Sequence, residues 1–380
     1  MTPAARISAA IDVLDRILAG QPAEQALLRW SRASRFAGSG DRAAVRDLVF
    51  DALRCRDSYA ALGGALTGRG LMIGGLRAAG RDPDELFTGQ GHAPAPLAGD
   101  EGGSPADGVS DLPDWIRPLW NRSLEDRADR MAQAMRERAP VWLRVNPVRA
   151  TTDQALAALC DDGIAATPDP RLPTALRVTD NERRITQGRA YRDGLVELQD
   201  LSPQLACAAL PVVPGMGVLD YCAGGGGKIL AVAGRAPGLT LVAHDADPAR
   251  MRDLPARAER AGVAVRLDTV PRGPFDLVIA DVPCSGSGTW RRTPDAKWRL
   301  TADRLEALVS LQAAILRRAA RLVRPGGTLA YMTCSVLDVE NDLQIGAFLA
   351  DNPAYSQVAC HRWTPLDASD GFFLALLARA

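Results

Sequence analysis

Residues 219–228, LDYCAGGGGK, decide how this chain is read. An apolar run, GMGVLDYCA, stops at four glycines, Gly224, Gly225, Gly226 and Gly227, and Lys228 then opens a helical pattern. Glycines let a backbone turn tightly and come close to a ligand, and a helix N-terminus favours negative charge. Ile229 follows Lys228, so the GxxxxGK[ST] spacing of a P-loop is missing. The next apolar run, LTLVAHDAD, carries Asp245 about twenty residues beyond the glycines, where an acid can accept hydrogen bonds from ribose hydroxyls. Asp268 closes a third run, VAVRLD, in a position to meet an adenine amine. Glycines and acids in this register predict a site for a nucleoside cofactor, with Cys222 and Ala223 at its entry as packing or cofactor contacts.

Working outward, short apolar runs alternate with helical segments from about 195 onward, as in a doubly wound parallel sheet. FDLVIAD and GGTLAYMTC supply further strands, and the segments around His361–Trp363 and GFFLALLAR suit an antiparallel edge. Toward the N-terminus, Ile7, Ile11, Leu14 and Leu18 recur at helical steps, and DRAAVRDLVFDALR repeats the pattern. The region 1–140 is therefore expected to be all-helical, interrupted at 89–111 by a flexible, Gly/Pro/Ala/Asp-rich insert. A Thr-capped helical run between short strands makes 141–194 a small α/β linking region, and 195–380 forms the α/β domain.

Composition narrows the class. The 380 residues are 47% hydrophobic and 24% charged, with no apolar run long enough to cross a bilayer, and the N-terminus lacks the continuous apolar core of a signal peptide. A cytoplasmic protein with no membrane partner is expected. Seven cysteines without a CxxC pair, and only three histidines, argue against a metal site. A net charge of zero excludes indiscriminate coating of polyanions. Locally, Thr289–Arg324 holds nine basic residues against three acidic ones, an excess that suits a phosphate-facing surface or a solvated helix face. Only two of 45 basic residues are lysines, Lys228 and Lys297, so an ammonium inside the glycine run is suggestive.

Two more motifs end strands in cysteine: DVPCSGSGTW (281–290) and MTCS (332–335). Strand C-termini line the ligand crevice of open α/β sheets, so Cys284 and Cys334 should open toward the cofactor. Carbon 5 of a pyrimidine is a poor nucleophile, and a thiolate adding at carbon 6 turns the ring into an enamine able to attack an electrophilic methyl group. A second group must then help the C5 proton leave and the thiolate depart. Asp281 is placed beside the base's ring nitrogen, and Lys228 is a cation able to lower a thiol's pKa. Order along the chain does not say which cysteine attacks.

DYCAGGGGK, DVPCSGSG, MTCS and the terminal DGFFLALL together resemble the successive motifs of the RsmB/Sun family of RNA cytosine-5 methyltransferases. LRVNP and LQDLSPQLA sit where that family has a strand and its QD segment, and the helical start is similar to a NusB-like RNA-binding domain. The resemblance implies a Rossmann-like class I methyltransferase domain over 195–380, with a mostly parallel seven-stranded sheet. It implies S-adenosyl-L-methionine held by Cys222, Ala223, Gly224–Gly227, Lys228, Asp245, Asp268 and Asp281. It assigns the nucleophile to Cys334 and product release to Cys284, with Asp281 and Lys228 completing the catalytic set. One departure stands out: the family has Ala-Pro-Gly-Gly-Lys in the loop, and Gly225 replaces the proline, which loosens the loop.

The expected reaction is methylation of cytosine carbon 5 in RNA, with 16S ribosomal RNA as the partner and a monomer as the working form. A tRNA cytosine-5 methyltransferase, or a NusB-like assembly factor that no longer turns over, are the alternatives. Trp290, Trp298, Arg291, Arg292 and Arg299 are candidates for stacking and phosphate contacts, or for core.

Overall fold

The computed structural model describes residues 1–99 and 101–380 and divides into two compact units. The first comprises Met1–Asn121, Glu125–Arg138 and Trp290–Leu300. The second comprises Arg122–Leu124, Ala139–Thr289 and Thr301–Ala380.

The first unit is helical, with helices over Pro3–Leu18, Ala23–Ala33, Ser39–Arg54, Arg56–Gly63, Gly68–Ala78 and Ala128–Ala134. Thr2 caps the first of these, its side chain accepting from the Ala5 N–H. Ile7, Val13, Leu14 and Ile17 are buried at helical spacing against Val45, Val49, Leu53, Leu71 and Ile73, while Ile11 and Leu18 pack at the margin. Among the described residues, 89–111 holds no helix or strand. It is tied at Glu101, which pairs with Arg69, and at Asp111. The buried Asp111 carboxylate accepts from the N–H groups of Asp57 and Ser58, capping a helix, and pairs with Arg136 at 2.8 Å. Asp100, inside the expected insert, lies outside the described residues.

The segment Trp290–Leu300 belongs to this helical unit although its neighbours in sequence do not. Trp290 is fully buried and stacks on Trp120 at 5.9 Å between ring centroids. Lys297 Nζ donates to the Arg54 carbonyl (3.1 Å) and Trp298 Nε1 to that of Leu53 (2.7 Å), satisfying carbonyls left open by the last turn of the Ser39–Arg54 helix. Arg54 Nε returns a bond to the Arg291 carbonyl (2.7 Å), and the Arg56 guanidinium lies over the Trp298 ring. Trp290, Arg291 and Lys297 are thus interior residues, and Trp298 carries its own cation partner. Of the two readings left open for this stretch, core holds for Trp290 and Arg291, while Trp298 is half-buried; a basic run drawn on one line of sequence cannot show which members face inward.

The second unit holds two sheets. Strands β1 (Trp142–Val145), β2 (Ala165–Asp169), β3 (Leu172–Asp180) and β4 (Val196–Leu198) form a small antiparallel sheet in the order β2-β3-β1-β4. This sheet runs slightly beyond the expected limit at 194. The Thr152–Asp161 helix beside it begins in a capping box between Thr151 and Gln154.

The main sheet contains β5 (Gly217–Asp220), β6 (Thr240–Ala243), β7 (Arg266–Leu267), β8 (Phe275–Asp281), β9 (Val323–Thr333), β10 (Tyr355–Trp363) and β11 (Phe372–Arg379). Its order is β10-β11-β9-β8-β5-β6-β7. Strands β7, β6, β5, β8 and β9 run parallel, β11 adds antiparallel to β9, and β10 pairs antiparallel with β11 and so runs in the direction of the other five. The chain thus builds the Rossmann-like, mostly parallel seven-stranded sheet expected. Side chains alternate across it: Leu277 and Ile279 enter one core layer, Val278 and Ala280 the other. The order reverses around β5, and in such sheets ligands sit outside the strand C-termini at the reversal.

Candidate active site

Each chemically interesting residue lies just past the C-terminus of a central strand. Asp220 ends β5 and the glycine loop follows; Asp281 ends β8, and Cys334 follows β9. Parallel register sets Asp281 beside Met332, and the Val282 N–H donates to the Met332 carbonyl (3.0 Å). Continuing those two lines brings the Cys284 and Cys334 sulfurs to 3.3 Å. The Gly288 N–H donates to the Cys334 carbonyl (2.9 Å), and Gly288 itself touches Gly371, where a Cβ would meet the Gly371 carbonyl oxygen at 2.4 Å. The terminal DGFF motif reaches the catalytic loop at this glycine pair.

The two thiols are electrostatically unequal. Cys334 is drawn below its usual range chiefly because the Cys284 S–H donates to it, against the effect of burial. Cys284 is held well above, first by that same contact, then by burial and by charge that includes Glu340. Of the two, Cys334 is the one pushed toward the thiolate and Cys284 the one held protonated. Cys222 is a different case: burial, the largest influence, pushes its thiol far up.

Lys228, at the start of the helix Gly227–Ala233, forms an ion pair with Asp281. Burial works against its ammonium, but the Asp281 carboxylate outweighs this and the lysine stays charged. Asp220 lies behind the pair, 1% exposed, with Oδ2 accepting from the Ile229 N–H (3.2 Å) and Oδ1 without a partner. Burial, helped by the Asp281 charge, raises its pKa to about 7. Sequence reasoning passed over Asp220, although an acid closing an apolar strand ahead of a glycine run was a visible signal.

The glycine loop itself is a backbone cradle. Gly224 and Gly226 have φ of +49° and +83°, and a Cβ on Gly226 would stand 2.2 Å from Leu254 Cδ1. Asp245, 4% exposed, accepts from the Gly224 N–H (3.0 Å) and the Asp247 N–H (3.0 Å), and pairs with Arg250 at 3.3 Å. Its carboxylate thereby fixes the loop. Asp268, after β7, accepts from the Val270 N–H and pairs with Arg266 at 3.2 Å. Lys228, Asp281, Cys284 and Cys334 thus form one group with Asp220. Gly224 and Asp245 form an adjacent one, and Asp268 stands at the end of the outer strand. A nucleoside cofactor fits this arrangement, given the glycine cradle with its left-handed turns and the acids just past β6 and β7. No group of three His, Cys, Asp or Glu able to hold a metal ion occurs among the described residues.

A parallel sheet reversed at a glycine loop, with an acid-paired lysine and strand-end thiols beside it, has the layout of a Rossmann-like methyltransferase. Residues 208–377 match the family model of the 16S rRNA methyltransferase RsmB/F, and residues 112–183 match the ferredoxin-like domain of RsmF/B-like methyltransferases. The chain belongs to the RsmB/F family. Relatives include the ribosomal RNA small subunit methyltransferase B of Xanthomonas campestris pv. campestris, 37% identical over 291 residues, which cover 70% of this chain and 66% of that protein. The protein so named from Xylella fastidiosa strain 9a5c is 35% identical over 288 residues, covering 70% and 68%. The chain spans about two thirds of the length of these relatives. Among solved structures, a methyltransferase homolog protein from Pyrococcus horikoshii superposes with a TM-score of 0.60 at 25% identity, over 70% of this chain and 98% of that one. NSun6 from Pyrococcus horikoshii with SFG gives 0.62 at 17% identity over the same shares, a likeness of fold. No helix among the described residues is long and apolar enough to cross a membrane.

Proposed function

We propose that this chain methylates carbon 5 of a cytosine in RNA, with 16S ribosomal RNA as substrate and S-adenosylmethionine as methyl donor. The observation that carries the reading is the pair of sulfurs 3.3 Å apart at adjacent strand ends, with Cys334 drawn below its usual range and Asp281–Lys228 beside them. Relatives named for the small-subunit RNA support the substrate. Residues Cys222–Lys228, Asp245, Asp268 and Asp281 would hold the cofactor, which supplies an electrophilic methyl group. The helical unit is proposed as the NusB-like RNA-binding part, and the protein as a cytoplasmic monomer.

In this scheme the Cys334 thiolate adds to carbon 6 of the cytosine, and the electron pair of the C5–C6 double bond becomes available at carbon 5. Asp281 would accept a hydrogen bond from the cytosine 4-amino group and so orient the ring, with the Lys228 ammonium beside it offsetting the negative charge that collects at the ring nitrogen during addition. Once carbon 5 is methylated, its proton leaves to a base, the double bond re-forms and the thiolate is expelled. Cys284 serves that release from its position against Cys334.

The test incubates small-subunit RNA and labelled S-adenosylmethionine with wild type, Cys334→Ala and Cys284→Ala. Label should appear on cytosine carbon 5 with wild type and vanish with Cys334→Ala. Cys284→Ala should accumulate a protein–RNA adduct that survives denaturation. An adduct with Cys334→Ala instead reverses the roles. Labelling of tRNA alone moves the substrate, and RNA binding without any transfer makes the protein an assembly factor.

A further inference from the structure

One buried carboxylate near the thiols has no place in the scheme above. Glu340 is fully buried in a single turn after β9, and among the described residues no cation pairs with it. Its oxygens are nonetheless saturated. Oε1 accepts from the Ser285 N–H (2.8 Å) and Gln312 Nε2 (2.9 Å), and Oε2 accepts from the hydroxyls of Ser285 (2.5 Å) and Ser335 (2.5 Å). Ser285 follows Cys284 directly and Ser335 follows Cys334 directly. One side chain therefore grips both cysteine-bearing loops at the residue next to each thiol.

The remaining bonds make the grip rigid. Gln312 also donates to the Pro283 carbonyl (2.9 Å), just before Cys284. The Ser287 and Ser335 hydroxyls meet at 2.9 Å, and the Val336 N–H donates to Ser287. Asn341 Nδ2 donates to the Ser335 carbonyl (3.0 Å), and the Thr333 hydroxyl donates to Asn341 Oδ1 (2.6 Å). The Tyr331 hydroxyl donates to the Glu340 carbonyl (2.7 Å), fixing the turn that presents the carboxylate. A buried charge without a counter-ion is costly unless fully hydrogen-bonded. Four donors on two oxygens meet that condition, and a hydrophobic residue of similar size would leave Ser285 and Ser335 without their acceptor.

We propose that Glu340 is a positioning residue: its carboxylate clamps Ser285 and Ser335 so that Cys284 and Cys334 are held sulfur to sulfur. By keeping the sulfurs in contact, the clamp preserves the hydrogen bond between them that raises Cys284 and lowers Cys334. This role rests on the two-thiol reading of the site, and it is tested partly by a measurement that needs no RNA.

The experiment uses the full chain as wild type, Glu340→Ala, Glu340→Gln and Ser335→Ala. Alkylation by iodoacetamide is followed against pH, with peptide mass spectrometry separating Cys334 from Cys284, and kcat and KM are measured with small-subunit RNA. In wild type, Cys334 should react at lower pH than Cys284. In Glu340→Ala the two profiles should converge, and kcat should fall about tenfold or more, as reacting groups lose their alignment, with KM for RNA nearly unchanged. Glu340→Gln, which can still bridge the two loops, should recover most of both, and Ser335→Ala should fall between. The proposal is overturned if folded Glu340→Ala keeps the wild-type alkylation profiles and kcat. Should Glu340→Ala fail to fold, unchanged profiles in Ser335→Ala overturn it. If alkylation shifts as described while wild type methylates no RNA, the clamp stands and the proposed reaction falls.

Discussion

Lys297 gives the structure's sharpest quantitative test. Its side chain is 1% exposed, its ammonium donates to the Arg54 carbonyl, and it lies 4.6 Å from the centroid of the Trp298 ring. Asp111, Cys55 and Asp57 favour its charge and Arg56 opposes it, but burial is the largest influence and lowers its pKa from 10.5 to about 8. That gap corresponds to about 3 kcal/mol by which the folded state disfavours the charged lysine. The sign follows from proton counting. Between pH 8 and 10.5 the unfolded chain holds a proton that the folded one has released, so stability rises with pH across that window. Below it both states are protonated and the penalty is present in full. Lys297→Met removes the titration, along with one hydrogen bond and one cation–π contact. Urea unfolding at a series of pH values should give a wild-type minus Lys297→Met difference that climbs by about 3 kcal/mol toward the alkaline end. Parallel curves for the two proteins would refute the burial argument, whatever their absolute stabilities.

Three substitutions probe other parts. Gly226→Ala forces a side chain into a left-handed turn and against Leu254, and should cost about 2–4 kcal/mol in urea unfolding. Gly225→Ala should cost about 1 kcal/mol, since the added Cβ stands 2.8 Å from Arg257 Nη1, which donates to the Gly225 carbonyl and whose guanidinium pairs with Glu197, so a held side chain must shift. Trp120→Ala removes the ring stacked on Trp290 and should destabilise the helical unit by about 3–5 kcal/mol, read by the same method.

The large periodic features were legible before any coordinates. Apolar runs ending at the glycine loop, at Asp281 and at Cys334 marked parallel strands because a buried strand needs few polar residues and its C-terminus is where function begins. Pairing of the two cysteines was not legible, since it depends on the register between β8 and β9, which no spacing within either strand encodes. Glu340 was hidden for a related reason. In VLDVENDL it is one polar residue in a polar run, and only the fold brings its carboxylate to serines five and fifty-five residues back along the chain. The fate of Trp290–Leu300 was equally out of reach, because a basic and aromatic stretch reads the same whether it meets RNA or a helix terminus.

That segment also has a consequence for how the protein is made. The helical unit is encoded almost entirely before residue 140, yet Trp290, Lys297 and Trp298 are needed to cover Trp120 and to satisfy the carbonyls of Leu53 and Arg54. Domains on a growing chain generally fold from the N-terminus as they emerge. Here the helical unit stays incomplete until residue 300 has left the ribosome, so it must wait, partly open, for a segment encoded within the stretch that builds the second. A fragment cut at Pro140 reproduces that waiting state and should be handled as a folding intermediate rather than as a free-standing RNA-binding module.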